Sequence, residues 1–273
     1  MPPLIIVETP PAAAGIGTLP RSYERGVHLG THVHREAQLL FAASGVMQVT
    51  TPKGRWLVPP QRAVWLPARL EHAVDALSDI EMRSLYIEPG WLAAHPKAPQ
   101  LAREFVVAVR PLLRELVLSL FAGAAEPRHS ELQAQLLLFE LIEAEDGATF
   151  MPMPNDARAR RVAEAVLADT SDSRPLADLA QAAGASARTM TRLFAAETQL
   201  TFKEWRQRAR IMASIELLST RRASVKQVAA RLGFSSTAAF GHAFRQIMGT
   251  TPSEFAARSH TGQWARTPSF NGR

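Results

Sequence analysis

The sequence predicts an α+β protein of two domains, an N-terminal β-barrel with following helices and a C-terminal domain that is all helical. Its 273 residues are long for one domain and ordinary for two. Residues 20–90 contain short β-rich runs separated by Pro and Gly, which is typical of a small barrel or sandwich. From residue 157 onward the apolar residues recur with helical spacing.

Composition excludes several classes of function. The chain has no cysteine, so disulfides, zinc–thiolate sites and thiol catalysis are excluded. Apolar residues make up 47% of the sequence and charged residues 21%, which suits a packed core rather than general disorder. No apolar run reaches the roughly 18 residues of a membrane span, and the start of the chain lacks the basic region of a signal peptide. We therefore expect a cytoplasmic protein without a membrane partner.

The two halves of the chain carry opposite net charge. Residues 1–156 have 13 Lys and Arg against 17 Asp and Glu, whereas residues 157–260 have 16 against 8. The overall charge of +6 therefore arises in the C-terminal part. A basic domain beside an acidic one indicates a polyanion partner for the basic domain, although a solvated basic surface gives the same balance.

Residues 1–98 are expected to form the barrel. Val46–Thr50 and Arg55–Val58 flank Pro52-Lys53-Gly54, which predicts a hairpin. Two further β-rich runs follow at Ala63–Leu66 and Ile80–Ile87.

Residues 99–150 are expected to be a helical segment that dimerises or relays a signal. Apolar residues recur at helical spacing from Phe105 to Leu116 and again from Leu132 to Ile142. The second stripe, Leu132, Leu136, Phe139 and Ile142, suits either a second chain or the protein's own barrel. Residues 151–156 contain two prolines in three positions and predict a linker.

An internal repeat is the most informative feature of the basic half. Leu176–Gly184 and Val225–Gly233 match in their aliphatic residues, an alanine and a final glycine. Each copy predicts a helix-turn-helix, because the glycine tolerates a left-handed turn and a serine then caps the next helix. The predicted units span 176–197 and 225–247 within a domain of residues 157–260. The capping serine is Ser186 in the first unit and either Ser235 or Ser236 in the second.

A helix over Phe202–Leu218 is expected to join the two units rigidly, and residues 261–273 are expected to be a frayed tail. If both units meet adjacent major grooves of duplex DNA, they lie about 34 Å apart.

The second helix of each unit is expected to enter the major groove. In the first unit Met190, Leu193 and Phe194 face inward, which leaves Arg188, Thr191 and Arg192 outward. Arginine is shaped for bidentate contact with guanine. In the second unit, the outward set is Thr237, Ala238, Gly241, His242 and Arg245. This set has few long donors, so close approach and a phosphate contact from Arg245 are expected there.

Residues 176–255 resemble the DNA-binding domain of AraC/XylS-family transcription regulators. The resemblance rests on Leu176–Phe194, on Val225–Ser236, and on Phe240, Ala243-Phe244-Arg245 and Gly249–Phe255. It implies two helix-turn-helix units, joined by a helix, that bind double-stranded promoter DNA. From the other features we also expect a homodimer and a small-molecule effector, with RNA polymerase as a candidate partner. Members of the family often have arginine where this chain has His242.

The N-terminal part resembles the cupin superfamily. Gly30–Gln38 looks like its first motif and Pro67–His72 like its second, with Arg69 where a glycine is usual. His32 and His34 lie two apart on a predicted strand and share one face. With Gln38 and His72 they form either a site for a divalent transition metal or the lining of an effector pocket without metal.

Two functions follow from these observations. The leading hypothesis is a sequence-specific transcription regulator with no catalytic residues, whose cupin binds a small effector. The alternative is a metal-dependent cupin enzyme, a dioxygenase or isomerase, with an accessory helical domain. Gln38 in place of an ionisable carboxylate argues against the alternative.

Overall fold

The structure, a computed structural model, describes residues 5–10, 15–122, 126–143, 150–219 and 223–261. It divides into two compact bodies, which we call the N-terminal domain and the C-terminal domain; residues 53–55 group with the second. None of the described helices combines the length and the hydropathy that a membrane-spanning segment requires. The tail predicted at 261–273 lies almost wholly outside these residues.

The N-terminal domain is built from antiparallel strands in two sheets. One sheet has the order β1-β8-β3-β6-β9, and the other contains β5-β4-β7-β2. The strands are β1 (Ile16–Tyr23), β2 (His28–His32), β3 (Ala37–Ser44), β4 (Met47–Thr51), β5 (Gly54–Val58), β6 (Arg62–Leu66), β7 (His72–Ala76), β8 (Ile80–Ile87) and β9 (Phe105–Ala108). The predicted hairpin is present as the neighbouring strands β4 and β5.

Helices cover the first sheet. The helices of this domain are α1 (Pro89–Ala93), a 3-10 turn (Ala98–Leu101), α2 (Pro111–Ser119) and α3 (Pro127–Glu143). Side chains of α2 and α3, such as Leu113 and Leu137, are fully buried in one core with Phe41 and Trp65 of the sheet. The indole N–H of Trp65 donates to the Leu101 carbonyl at 2.9 Å, so the ring is buried with its polar atom satisfied.

The helical segment predicted from residue 99 differs from the structure at its start. Phe105–Ala108 is strand β9, and it pairs antiparallel with β6 in register Trp65↔Phe105. The spacing of Phe105 and Val109 fits a helix, but a four-residue apolar run fits a buried strand equally well. The edge of β6 supplies the hydrogen-bond partners that decide between them.

The apolar stripe predicted on α3 is only partly buried in the structure. Leu132, Leu136 and Phe139 are 54%, 40% and 49% exposed, whereas Ile142 packs against the core of the domain. Leu137 and Leu141 fill that core instead. The face that α3 buries is therefore rotated from the predicted one.

The described part of the C-terminal domain is helical apart from the short strand β10 (Phe150–Pro152), which overlaps the start of the linker predicted at 151–156. Its helices are α4 (Ala157–Ala168), α5 (Leu176–Ala182), α6 (Ala187–Thr198), α7 (Phe202–Ser219), α8 (Val225–Arg231), α9 (Thr237–Met248) and α10 (Pro252–Thr261). Asp156 caps α4 by accepting from the backbone N–H groups of Arg158 and Ala159.

Helix α7 lies at the centre of this domain. It contacts α4, α6, α8, α9 and α10. Because it is surrounded, it buries Ile211 and Ile215 as well as Trp205 and Ala209. The Trp205 indole N–H donates to the Pro152 carbonyl at 2.7 Å, which attaches β10 to this helix.

Candidate nucleic-acid interface and metal centre

Both predicted turns are present with the backbone conformation that glycine favours. Gly184 ends the turn after α5 with φ +73°, and Gly233 follows α8 with φ +70°. The Ser186 hydroxyl accepts from the Thr189 N–H at 3.1 Å and caps α6. In the second unit Ser236, not Ser235, caps α9 by accepting from the Ala239 N–H at 3.0 Å.

The inward faces of α6 and α9 are packed as the repeat predicts. Met190 and Phe194 are fully buried in the first unit, and Phe240 and Phe244 are fully buried in the second. Ala180 and Ala229, at matching positions of α5 and α8, are buried as well. Burial of these positions determines which residues of α6 and α9 are left outward.

The outward face of α6 carries Arg188, Thr191 and Arg192, all exposed. Within the described residues neither arginine forms an ion pair or a hydrogen bond, so both guanidinium groups are available to a ligand. Arg188 and Arg192 are four residues apart, which places them on one side of the helix. The Thr191 hydroxyl donates to the Ala187 carbonyl at 3.0 Å, which leaves its oxygen available only as an acceptor.

The outward face of α9 has smaller side chains than that of α6. Thr237, Ala238, His242 and Arg245 are exposed. Gly241 is half-buried, and a Cβ added to it would meet nothing within 4 Å. Three of the five residues in this set are therefore small, and Arg245 is its long cation.

Arg210 has a structural role that the sequence did not predict. The guanidinium of Arg210 on α7 donates to the carbonyls of Thr170, Asp172 and Gly233 at 3.2–3.3 Å. It therefore ties the loop after α4 to the turn of the second unit. An arginine among many on a helix gives no sequence signal for such a role.

In the N-terminal domain the structure brings three of the predicted histidines together. His32 at the end of β2 pairs directly across from His72 at the start of β7, and His34 follows two residues later. The ring centroids are 4.3 Å apart for His32 and His72 and 4.9 Å apart for His32 and His34. One ligand atom from each imidazole lies within 4.8 Å of the other two.

Each imidazole of this cluster is oriented by a backbone carbonyl. Nδ1 of His32, His34 and His72 lies 2.7, 3.2 and 3.0 Å from the carbonyls of Gly30, Val7 and Leu70. A carbonyl oxygen only accepts, so Nδ1 carries the proton and the lone pair is on Nε2. Nε2 of His34 and His72 is buried and has no hydrogen-bond partner among the described residues.

Burial also keeps two of these rings uncharged. It lowers the pKa of His72 to about 4, against an opposing hydrogen bond to Leu70. The pKa of His34 is lowered for the same reason. Both rings are therefore neutral at pH 7, the form in which imidazole binds a metal.

Gln38 and Arg69 are the remaining residues of the two predicted cupin motifs. Gln38 lies on β3, is 3% exposed, and its Oε1 has no hydrogen-bond partner among the described residues. Arg69 has φ +63°, the conformation expected of the glycine it replaces, and its N–H donates to the His34 carbonyl at 2.9 Å. Tyr86, which the sequence did not single out, packs edge-on against His34 with centroids 4.9 Å apart.

Comparison with known proteins identifies both domains. The family model of AraC-like ligand binding domains matches residues 19–142, and that of helix-turn-helix domains matches residues 179–258. The HTH-type transcriptional regulator NimR of Escherichia coli K12 is 31% identical over 246 residues, covering 86% of this chain and 87% of that protein.

Two further comparisons give weaker matches. The arabinose operon regulatory protein of Escherichia coli K12 is 33% identical over 50% of this chain and 48% of its own. The solved structure of ToxT from Vibrio cholerae O395 aligns with 90% of this chain and 99% of its own at 15% identity, with a TM-score of 0.39.

Proposed function

This chain belongs to the AraC family of transcriptional regulators, and on that premise we propose that α6 reads the promoter sequence and α9 mainly holds the DNA backbone. As a member of the family it is a sequence-specific DNA-binding regulator with an N-terminal ligand-binding domain. The proposal concerns how the two helix-turn-helix units divide that binding. The observation that carries it is a contrast between the two helices. Helix α6 has a pair of exposed arginines without a partner in the part of the chain that the structure describes, whereas the outward face of α9 has mainly small side chains.

The proposed base contacts come from Arg188 and Arg192. A guanidinium presents two parallel donors that match O6 and N7 of guanine, and a good bidentate pair contributes about 1–3 kcal/mol of discrimination. Thr191 lies between them as an acceptor. On α9, Thr237, Ala238 and Gly241 allow close approach, His242 faces the groove edge and Arg245 binds phosphate.

A footprint on the DNA flanking the protein's own gene supplies the site for the test. We expect Arg192→Ala to weaken binding to that site about 5- to 150-fold, the equivalent of 1–3 kcal/mol. Affinity for unrelated DNA falls much less, because base reading contributes only to the specific complex. Arg128→Ala, an exposed arginine on α3 of the other domain, is the matched control. Equal promoter affinity of Arg192→Ala and the parent would refute the assignment.

We also propose that the N-terminal domain is a sensor without turnover. The family is one of transcription regulators, and the cupin-enzyme alternative requires stoichiometric metal together with conversion of a substrate. The regulator then acts in the cytoplasm at its promoter, where RNA polymerase is the downstream partner. An effector that binds one DNA-binding arrangement more tightly than another shifts the population toward it.

The exposed face of α3 is proposed to bind a second copy of this chain. Leu132, Leu136 and Phe139 recur at helical spacing and are each at least 40% exposed. Such a stripe packs against its own symmetry mate in a two-fold dimer. Leu136→Glu is expected to shift a dimer to monomer in sedimentation velocity. A parent protein that sediments as a monomer at micromolar concentration would retire this interface.

A further inference from the structure

Each helix-turn-helix turn accepts a hydrogen bond from an arginine that lies outside its own unit. In the first unit, the Arg161 guanidinium on α4 donates to the Ala183 carbonyl at 3.0 Å, just before the turn glycine. In the second unit, Nη1 of Arg210 on α7 donates to the carbonyl of the turn glycine Gly233 at 3.2 Å. Arg210 also binds a second segment of the domain, and this makes it a candidate for more than local support.

The second segment is the loop 169–175, which leads from α4 into the first helix-turn-helix unit. Nε of Arg210 donates to the Thr170 carbonyl at 3.2 Å, and Nη2 donates to the Asp172 carbonyl at 3.3 Å. With Nη1 on Gly233, all three guanidinium nitrogens are engaged. Because a guanidinium is planar and its donors point in fixed directions, these bonds hold the loop and the second turn in one relative position.

The loop is ordered by its own side chains, so its attachment to α7 is passed on to the first unit. The Asp169 carboxylate accepts from the Ser171 N–H at 3.0 Å, and the Asp172 carboxylate accepts from the Arg174 N–H at 2.8 Å. Pro175 follows and immediately precedes α5, with a φ that its ring fixes. Little backbone freedom therefore remains between the contact with α7 and the start of the first unit.

The second turn packs closely against this bridge. A Cβ on Gly233 would lie 3.2 Å from Nη2 of Arg210 and 3.6 Å from the Ser171 carbonyl. A Cβ on Gly184, the matching glycine of the first unit, would meet nothing within 4 Å. The absence of a side chain at Gly233 thus lets one arginine reach the loop of the first unit and the turn of the second at the same time.

We propose that Arg210 is a positioning residue that holds α6 and α9 at one separation, and that it thereby makes the domain selective for the spacing of the two DNA segments it contacts. Two joined modules bind a common partner best when their separation matches that of their sites. One inserted base pair moves the second segment by about 3.4 Å and turns it by about 34° around the duplex axis. A rigid pair of units cannot follow that change, whereas a loosely joined pair can. The inference rests on the proposed function in one respect, that α6 and α9 bind the same duplex.

The first test needs no DNA and uses the full-length protein. The chain has no cysteine, so Ala196→Cys on α6 and Gln246→Cys on α9, both at exposed positions, place one spin label on each unit. Double electron–electron resonance is expected to give a single narrow distance distribution. Arg210→Met in this background removes all three donors and keeps an unbranched apolar side chain. It is expected to broaden the distribution, because the loop and the second turn are no longer joined.

The matched control is Arg206→Met. Arg206 lies one turn earlier on α7 and donates to the loop carbonyl of Arg174 at 2.7 Å, without a bond to the second turn among the described residues. This variant is expected to keep the narrow distribution. An unbroadened distribution in Arg210→Met, or equal broadening in Arg206→Met, would overturn the proposal.

A conservative variant protects the test against simple loss of folding. Arg210→Lys keeps the charge and a long stem but lacks the planar fork, so it donates to the loop and the turn with less fixed geometry. We expect a distribution of intermediate width with the circular dichroism spectrum of the parent. If Arg210→Met loses that spectrum, Arg210→Lys alone decides the first test, and a width equal to that of the parent refutes the role of Arg210.

The second test measures spacing selectivity on the promoter site found by the footprint. One or two base pairs are inserted between the segments that α6 and α9 contact. For the parent, the insertions are expected to weaken binding about 100-fold, the order of avidity that linked modules lose when their geometry fails. For Arg210→Met, we expect the native site to weaken about 10-fold and the inserted sites to change little, so that the ratio of the two affinities falls.

This ratio separates positioning from general destabilisation and from failure of the proposed function. Destabilisation alone lowers both affinities of Arg210→Met alike and leaves the ratio of the parent, which would refute the proposal. Indifference of the parent itself to the insertions would overturn the spacing selectivity and count against joint binding by α6 and α9. The distances between the spin labels do not depend on DNA, so they report on the positioning role of Arg210 in either case.

Discussion

The first helix-turn-helix unit turns two free arginines toward solvent, whereas the second presents small side chains at the corresponding face. Inside, the units match: Phe194 and Phe244 are fully buried, and Ser186 and Ser236 cap α6 and α9 in the same way. Packing and capping therefore account for what the units share. The outward faces are free of these constraints, and the difference between the units lies there.

The ends of the helices differ as well. Helix α8 begins with a complete capping box at Ser224 and Gln227, whereas α5 begins at Pro175 without a side-chain cap. Helix α6 ends at Gln199 in a left-handed conformation, and α9 ends at Gly249 in the same conformation. The second unit is thus the better capped of the two, although it is the poorer in base-reading side chains.

Truncation of the matching core aromatics tests the shared interior and has the largest expected effect. Phe194→Ala and Phe244→Ala are each expected to lower the free energy of unfolding by about 3–5 kcal/mol, through lost burial and a residual cavity. Urea unfolding followed by circular dichroism at 222 nm measures both. Gln246→Ala, an exposed residue of α9, is the control. A loss below about 1 kcal/mol at one position would show that the two interiors are not equivalent.

The two turn glycines are expected to differ when each is replaced by alanine. A left-handed conformation costs a non-glycine residue about 1–2 kcal/mol, so Gly184→Ala and Gly233→Ala both lower stability. Gly233→Ala loses more, because its Cβ would lie 3.2 Å from the Arg210 guanidinium, while nothing lies within 4 Å at Gly184. The control is Gly241→Ala, inside α9 with open space, which gains about 0.5–1 kcal/mol. Thermal unfolding that ranks Gly184→Ala as the more damaging change would contradict this account of the second turn.

Replacement of Arg245 on α9 tests whether the second unit contacts the phosphate backbone of DNA. Arg245→Ala is expected to weaken binding to promoter DNA and to unrelated DNA by the same factor. It is also expected to reduce the slope of log affinity against log salt concentration by about 1. Arg192→Ala serves as the contrast, since it changes the ratio of the two affinities. A loss confined to promoter DNA would instead make Arg245 a base-reading residue.

The smallest expected effect concerns the acidic caps of α7 and α10. Glu254 accepts from the Thr251 N–H at 3.0 Å, and this bond with those from the Thr250 and Thr251 hydroxyls lowers its pKa to about 2. The pKa of Glu204, which accepts from the Thr201 hydroxyl and N–H, is lowered as well. Because the folded pKa is depressed, the cap stabilises above the unfolded value near 4.5 and is lost as pH falls toward 2.

Melting temperatures of Glu254→Gln and the parent, measured from pH 7 to pH 2, check this cap. Glutamine resembles the protonated acid, so the variant has a lower melting temperature than the parent at pH 7. The difference between the two melting temperatures disappears in acid. Glu204→Gln is the companion variant on α7 and follows the same direction. A gap that stays constant with pH would show that the charge of Glu254 contributes nothing.

Much of the C-terminal domain follows from local pattern. The repeat, its glycines and its serines predict both helix-turn-helix units within a residue or two, because each feature acts over a single turn of chain. The AraC and cupin resemblances also name His32, His34 and His72. Arg210 and Tyr86 were missed, since their roles arise from residues far away in the sequence.

The sequence by itself therefore determined the order of the domains, the two helix-turn-helix units and the outward faces of α6 and α9. Only the tertiary structure decided that Phe105–Ala108 is a strand, that α3 buries Leu137 and Leu141, and that His32 lies opposite His72. Caps and periodicity are properties of neighbouring residues. Strand pairing and burial depend on which distant segment supplies the hydrogen-bond partner or covers the face.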